Sequence, residues 1–387
     1  MRLCLVAHRF YESNTHMRQF AKAFRSPDNE VDVIAVRRSH LPRNEVIDGV
    51  NVYRIQNRSP VERSRISHIL HLGSFLFRAA AIITWKHWRK PYDVIHVQSI
   101  PDFLVFSALI PKLLGCPVIL DLRDLVPELY ASKFKKKENC LAVRILKRVE
   151  RLSARFADHV IVANPLWYER VVQRSAIASK CSVFWYYPDT ELFYPRQMKR
   201  TDNRFRLLYP GSLQHHQGVD LAIRALSKIQ QEIPEVELHI QGDGPAKADL
   251  LKLSQELHLE AKVIFDELVP FELVSDCMAE CNLGLVPKMA SDVFGNEAAS
   301  TKIPEFMAVG IPVVASRTKI ESYLYDDSLL CYFESENEDS FVNAVTSLYK
   351  DSSLRNSLVN NGRQFVEKNN WATRVPEYID LVKSLVK

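Results

Sequence analysis

The sequence predicts an α/β chain built as two doubly wound domains, on three observations. Short apolar runs alternate with helix-length periodic segments from one end to the other, the pattern of repeated βαβ units and parallel sheets. The runs form two series, separated by the polar interval Pro195–Arg204 (PRQMKRTDNR). At 387 residues the chain is long for one domain and comfortable for two. A ligand cleft between two such domains follows from the arrangement.

In chain order, the first series predicts strands at Leu3–Ala7, Val31–Val36, Val94–Val97, Val118–Asp121 and His159–Val162. The second predicts Arg206–Tyr209, Glu237–Gln241, Val263–Asp266, Leu283–Val286 and Val313–Ala315. Between strands, Ile66–Trp85 is apolar but interrupted by His68, His71 and Arg78. It reads first as a helix packed on the sheet, then as a membrane-inserted face, and last as a span of minimal length. Lys133–Phe156 holds nine Lys and Arg against two Glu, with Leu141, Ile145, Leu146, Val149 and Leu152 as an apolar stripe. It reads as a basic amphipathic helix, for a membrane surface or as a solvated face.

Composition bounds the class. Hydrophobic residues at 47% with 25% charged residues are those of a soluble globular protein. The net charge of +5 hides a division: residues 1–190 hold 30 Lys and Arg against 17 Asp and Glu, while 191–387 hold 21 against 29. A first half at +13 points to an anionic partner, a lipid surface or nucleic acid, and no nucleic-acid module is recognisable in it. Seven scattered cysteines suit buried thiols in a reducing compartment, and the start of the chain, running directly into Leu3–Ala7, suggests no cleaved leader.

The chemistry concentrates in Phe294–Ser316, FGNEAASTKIPEFMAVGIPVVAS. A helix is predicted to begin at Lys302, capped by Ser300 or Thr301, with Pro304 tolerated in its first turn and Gly310 ending it. Glu297 and Glu305 stand eight positions apart. Were the interval helical they would be separated by about 12 Å, beyond the roughly 5–9 Å of a hydrolase pair. Two such carboxylates suit the ends of an elongated ligand with an anionic middle on the helix N-terminus, the layout of a nucleotide-sugar. The plain alternative is a capped surface helix carrying two solvated glutamates.

Glycines favour the second domain. Of 11, eight lie after residue 190, and Gly211, Gly242-Asp243-Gly244 and Gly295 follow strand ends, where backbone can approach phosphate or ribose closely. The order YPGSLQHHQGVDLAIRAL (209–226), QGDGP (241–245) and E-x7-E (297–305) resembles the retaining glycosyltransferases of family 4, which have the GT-B fold. Pro91–His96, Val118–Asp124, Tyr187-Pro188-Asp189 with Phe193, and the segment opened by Trp371 extend the resemblance over essentially the whole chain.

That resemblance implies two Rossmann-like domains, 1–190 for the acceptor and 191–371 for the nucleotide-sugar, with a last helix (372–387) crossing back to the first. It implies Glu297 at the donor sugar, Glu305 on the ribose hydroxyls, and backbone around Gly211 and Ala298-Ala299-Ser300 cradling the diphosphate, with Ser212, Gln217, Gly242 and Gly244 on the donor side. No metal or other cofactor is implied. The family's arginine and lysine on the diphosphate are Ser212 and Gln217 here, so Lys302 is the expected substitute, with Lys288 and His215 or His216 behind it. Acceptor-side candidates are His8, Glu12, Arg123, Asp124 and Glu128, with Asp124 nearest to the chemistry and Arg123, where many members have histidine, suited to clamping a phosphate. Asp121 and Asp124 fit strand-end turn residues equally well.

The expectation is therefore a metal-independent, retaining transferase moving a sugar from a nucleotide donor to a lipid-linked saccharide of the cell surface. Its predicted place is cytoplasmic, peripheral on the inner face of the cell membrane. The alternatives are a nucleotide-sugar epimerase or phosphorylase of the same fold, or an inactive membrane-associated scaffold.

Overall fold

The computed structural model describes residues 1–57, 65–196 and 201–386, so part of the polar interval Pro195–Arg204 lies outside the described residues. The chain divides into two units, Met1–Tyr186 with Val375–Lys387, and Tyr187–Arg374.

The first unit holds an eight-stranded sheet: β1 (Arg2–Phe10), β2 (Glu30–Arg37), β3 (Asn44–Ile47), β4 (Val50–Asn57), β5 (Val94–Gln98), β6 (Val118–Leu122), β7 (His159–Val162) and β8 (Cys181–Val183). Their order is β3-β4-β2-β1-β5-β6-β7-β8, parallel throughout except for the β3–β4 hairpin. β1, β2, β5, β6 and β7 contain the five predicted strands. β4 escapes prediction because its buried face is half polar: Val50 and Val52 alternate with Arg54 and Gln56. Arg54 is tolerated there because Glu12 and Glu45 neutralise it. The last segment of the chain, within the helix Trp371–Leu385, completes this unit: the buried Tyr378 meets the rings of Phe20 and Phe184 and hydrogen-bonds His96 Nδ1 at 2.8 Å.

The second unit holds β9 (Phe205–Pro210), β10 (Val236–Gln241), β11 (Val263–Asp266), β12 (Leu283–Val286), β13 (Val313–Ser316) and β14 (Cys331–Phe333), ordered β11-β10-β9-β12-β13-β14 and parallel throughout. Strand alternation feeds two cores. Leu207, Tyr209, Leu285 and Val314 face one core, with Ile223 and Phe341. Leu208, Val286, Val313 and Ala315 face the other, with Ile303 and Phe306. Burial on both faces is what lets these strands read as continuous apolar runs.

In each sheet the strand order reverses at the first strand of the unit, between β1 and β5 and between β9 and β12. Ligands of open parallel sheets bind beyond the strand C-termini at such reversals.

Candidate active site

At the reversal in the second unit, the loop after β9 (Gly211–Gly218) meets the loop after β12 (Pro287–Thr301). Met289 N donates to His216 O at 2.9 Å, and a Cβ at Gly218 would strike Pro287 O. The loop after β10 closes the other side: Gly211 N donates to Gln241 O and Leu213 N to Asp243 O, both at 2.9 Å. Gly242 and Gly244 have a packing role between these loops. A side chain at Gly242 would collide with Gly211 O and one at Gly244 with the Leu213 backbone, so these glycines let two loops touch.

Glu297 ends a short helix (Val293–Glu297), Ala298 is extended, and the next helix runs Lys302–Val309 to Gly310 in the left-handed region at φ 88°. The Glu297–Glu305 interval is thus a helix end, a turn and a new helix that starts at the predicted Lys302 and stops at Gly310. Both carboxylates are buried, at 5% and 7% exposure, so neither is a solvated surface glutamate. Lys319 Nζ lies 3.6 Å from Glu297 Oε1.

The expected cap is absent: Thr301 occupies the N-cap position without a side-chain hydrogen bond. Ser300 Oγ is buried and has no hydrogen-bond partner among the described residues. Ser300 N donates instead to Glu321 Oε1 at 3.1 Å, and Glu321, fully buried, pairs with the buried Lys288 at 2.7 Å. Lys288 Nζ also donates to Ala298 O. One buried ion pair thereby fixes both ends of Ala298–Ser300.

Lys302 sends its side chain back from the helix start along the β9 loop. Its Nζ is 3.5 Å from Gln217 Oε1 and 4.9 Å from the Tyr209 ring centre, and its Cε occupies the space that a Cβ at Gly211 would need. Gly211 needs glycine for its backbone, at φ 143°, and a side chain there would also displace the end of Lys302. Burial, then the nearby Lys288 charge, lowers the Lys302 pKa to about 8, with Glu305 and Glu321 opposing. His216 does not supply a second cation near neutrality, since burial brings it to about 4. Lys288 is committed to Glu321. Of the two lysines among the expected substitutes, Lys302 is the one that reaches the Gly211 loop without a carboxylate ion pair among the described residues.

At the reversal in the first unit, β1 delivers His8, whose ring stands edge-on to Phe75 at 4.9 Å. Arg123, after β6, is buried: Nε donates to Asp121 at 2.8 Å and Nη1 to Phe184 O at 3.1 Å. Asp124 sits 3.4 Å from Arg9 Nη2, yet burial raises its carboxyl above the usual range against the pull of Arg9 and Arg123. Asp121, in contrast, is held low by Arg123 and His96 despite its burial. Two candidates belong to the scaffold instead. Glu128 is 1% exposed and both its oxygens accept from Arg174, at 2.5 and 2.9 Å, which removes it from any acceptor surface. Glu12 is taken up by Arg54 at 2.5 and 2.8 Å.

Sequence reasoning missed Glu321 and Lys319. Thr318-Lys319-Ile320-Glu321 has the spacing of a capping box, which describes a surface helix start. Thr318 does cap, accepting from Glu321 N at 3.4 Å, but the Glu321 carboxylate turns inward to Lys288 and Ser300.

Residues 192–365 match the family model described as glycosyl transferases group 1, and residues 13–184 the one described as glycosyl transferase 4-like domain. The chain belongs to the family 4 glycosyltransferases of the GT-B fold. It is 25% identical to the sulfoquinovosyl transferase SQD2 of Arabidopsis thaliana over 73% of this chain and 54% of that one, so it spans about half of that relative's length. In three dimensions it resembles sucrose-phosphate synthase of Thermosynechococcus elongatus, with TM-score 0.81, 19% identity, and 100% and 99% of the two chains covered. It also resembles HepE of Anabaena in complex with UDP-glucose, with TM-score 0.75, 17% identity, and 99% and 100% covered.

Proposed function

We propose that the protein transfers a sugar with retention from a nucleoside diphosphate donor to a hydroxyl of a lipid-linked saccharide, in the building of a cell-surface polysaccharide. The observation that carries this reading is the Gly211–Lys302 pair. A partly desolvated lysine, in no carboxylate ion pair among the described residues, lies against the Gly211 backbone, in the same segment that holds a buried Ser300 Oγ without a hydrogen-bond partner among the described residues and two buried glutamates. A diphosphate meets all of these demands, with Lys302 and the Ser300 hydroxyl as its donors in this turn, since Ala298 N and Ser300 N already donate to Phe294 O and Glu321 Oε1.

In this reading Glu297 orients the sugar and Glu305 the ribose. The C1–O bond to the diphosphate breaks as the acceptor oxygen attacks from the same face, and the acceptor proton passes to the departing phosphate oxygen. Lys302 stabilises the charge growing on that oxygen. No metal is called upon. HepE, solved in complex with UDP-glucose, supports a uridine donor as the first to try. The basic first unit would hold the protein on the anionic inner face of the cell membrane, and the salt dependence of its binding to vesicles tests that attachment.

A thermal-shift screen of UDP-, GDP-, ADP- and CDP-sugars, followed by anomer analysis of the product by NMR, tests the function. An axial donor should give an axial linkage. An inverted linkage would overturn retention, and an isomerised free sugar without acceptor would establish the epimerase instead. Absence of any nucleotide response would leave the scaffold.

A further inference from the structure

The expected basic helix is shorter than its sequence pattern, and part of its apolar stripe is exposed. It occupies Leu141–Phe156, after a turn at 134–140, and its inward side, against the helical segments Asp102–Ala108 and Val126–Lys133, buries Val143, Glu150, Ser153 and Ala154. Leu141, Ile145 and Leu152, at 71%, 48% and 58% exposure, face solvent instead. At helical spacing they share their face with Arg148 and Arg155. Burying a glutamate while exposing leucines is the reverse of a solvated helix. Glu150 tolerates it because Arg174 and Ser175 hold its carboxylate.

Two neighbouring helices repeat the inversion. Arg65–Arg89 is long and apolar enough to cross a membrane by length and composition, but Phe75, Ala79, Ile83 and His87 form a buried stripe against the first unit's sheet. Directly opposite that stripe, Leu70, Phe77 and Trp88 are exposed at 68%, 75% and 86%. The helix Leu109–Leu113 lies between the other two. Ile110 and Leu114 line a cavity of about 1140 Å³ with Trp88 and Leu385, while Lys112 stands over the Phe156 ring at 5.3 Å. Leu113 and Leu114 are 74% and 66% exposed. Across all three helices the sole acidic residue is the buried Glu150.

We infer that this three-helix face is seated in the boundary between headgroups and acyl chains of an anionic bilayer. Leu70, Phe77, Trp88, Leu113, Leu114, Leu141, Ile145 and Leu152 would enter the apolar layer and the arginines would meet lipid phosphates. Charge decides the occupant. A second copy would bring the same cations into contact with one another, whereas anionic lipid neutralises them and dissolves the leucines. The inference rests on the membrane attachment proposed above and differs from it in one respect: attachment by charge alone is lost at high salt, whereas an inserted apolar face keeps a salt-resistant component.

The test is co-sedimentation of the full chain with phosphatidylcholine vesicles containing a minority of phosphatidylglycerol, at low and high salt. Wild type should bind at low salt and retain a measurable fraction at high salt. Leu113→Ser with Leu114→Ser, and separately Leu141→Ser with Ile145→Ser, should each lower the salt-resistant partition about tenfold. Unchanged thermal unfolding would show the fold intact, since all four side chains are exposed. Binding that vanishes at high salt overturns insertion and leaves charge attachment standing. No binding at either salt overturns both. A dimer in solution that the serine variants dissociate would overturn the lipid assignment, by making the face a contact between copies.

Discussion

At the scale of single residues, the proposed donor site turns on one lysine kept in a costly state. Lys302 is drawn partly out of water and faces Lys288, so in the free protein it loses its proton near pH 8 rather than at the ordinary lysine value. A bound diphosphate favours the charged form and pulls that pKa back up. Nucleoside diphosphate affinity should therefore be level up to about pH 8 and fall above it, by at most about tenfold per pH unit. Titration calorimetry across this range checks it. Lys302→Ala should flatten the dependence and weaken binding by about 1.5–3 kcal/mol at neutral pH, the usual worth of a charged hydrogen bond. An unchanged dissociation constant would put the diphosphate elsewhere. The sign for folding is the opposite: because the folded-state pKa is depressed, the unfolded chain binds more protons between the two values, and this group's contribution to stability rises with pH over that window. Glu297 should behave differently. Glu297→Ala is expected to reduce turnover by about two orders of magnitude or more while leaving nucleotide affinity within a few-fold, as for a group acting on the sugar in the transition state. Equal losses in turnover and affinity would contradict that role.

At the scale of elements, the turn 298–300 is held from beneath by the buried Lys288–Glu321 pair, which joins the ends of β12 and the helix Lys319–Leu324. Removing one partner strands a buried charge. Lys288→Met or Glu321→Gln alone should destabilise by about 3–5 kcal/mol, whereas the double variant should recover much of that loss. Urea unfolding of the four proteins measures the coupling, and additive losses would show the pair to be unimportant. The same element shows what the sequence could and could not convey. All ten predicted strands are present: β9, β12 and β13 are buried on both faces and leave apolar runs, while β10 alternates Val236, Leu238 and Ile240 with polar residues. The E-x7-E segment was legible because Pro304, Gly310 and Pro312 punctuate it. The support beneath it was not: Glu321 and Lys288 are charged residues far apart in sequence, and only tertiary pairing makes their burial possible. Arg54 hid β4 for the same reason. A charge that is neutralised by a distant partner looks on paper like a charge in water.

At the scale of the whole molecule, the first unit is discontinuous. It begins at Met1 and is completed only when Val375–Lys387 returns. Tyr378 makes that return matter, filling the space between Phe20, Phe184 and His96 with its hydroxyl satisfied by His96. Burial keeps that hydroxyl protonated well above the ordinary tyrosine range, so it remains a donor at any physiological pH. Two cores of this size invite two unfolding transitions, and the elements described above assign them separately. Tyr378→Ala should lower one transition, at a cost of about 3–5 kcal/mol for a large buried aromatic side chain. A nucleoside diphosphate should raise the other, by an amount that grows with the logarithm of its concentration. Differential scanning calorimetry of wild type and variant, each with and without nucleotide, separates the two effects. If the ligand instead raised the transition that Tyr378→Ala lowers, the nucleotide would belong to the first unit, and the assignment of Glu297, Lys302 and Glu305 to the donor would fall with it.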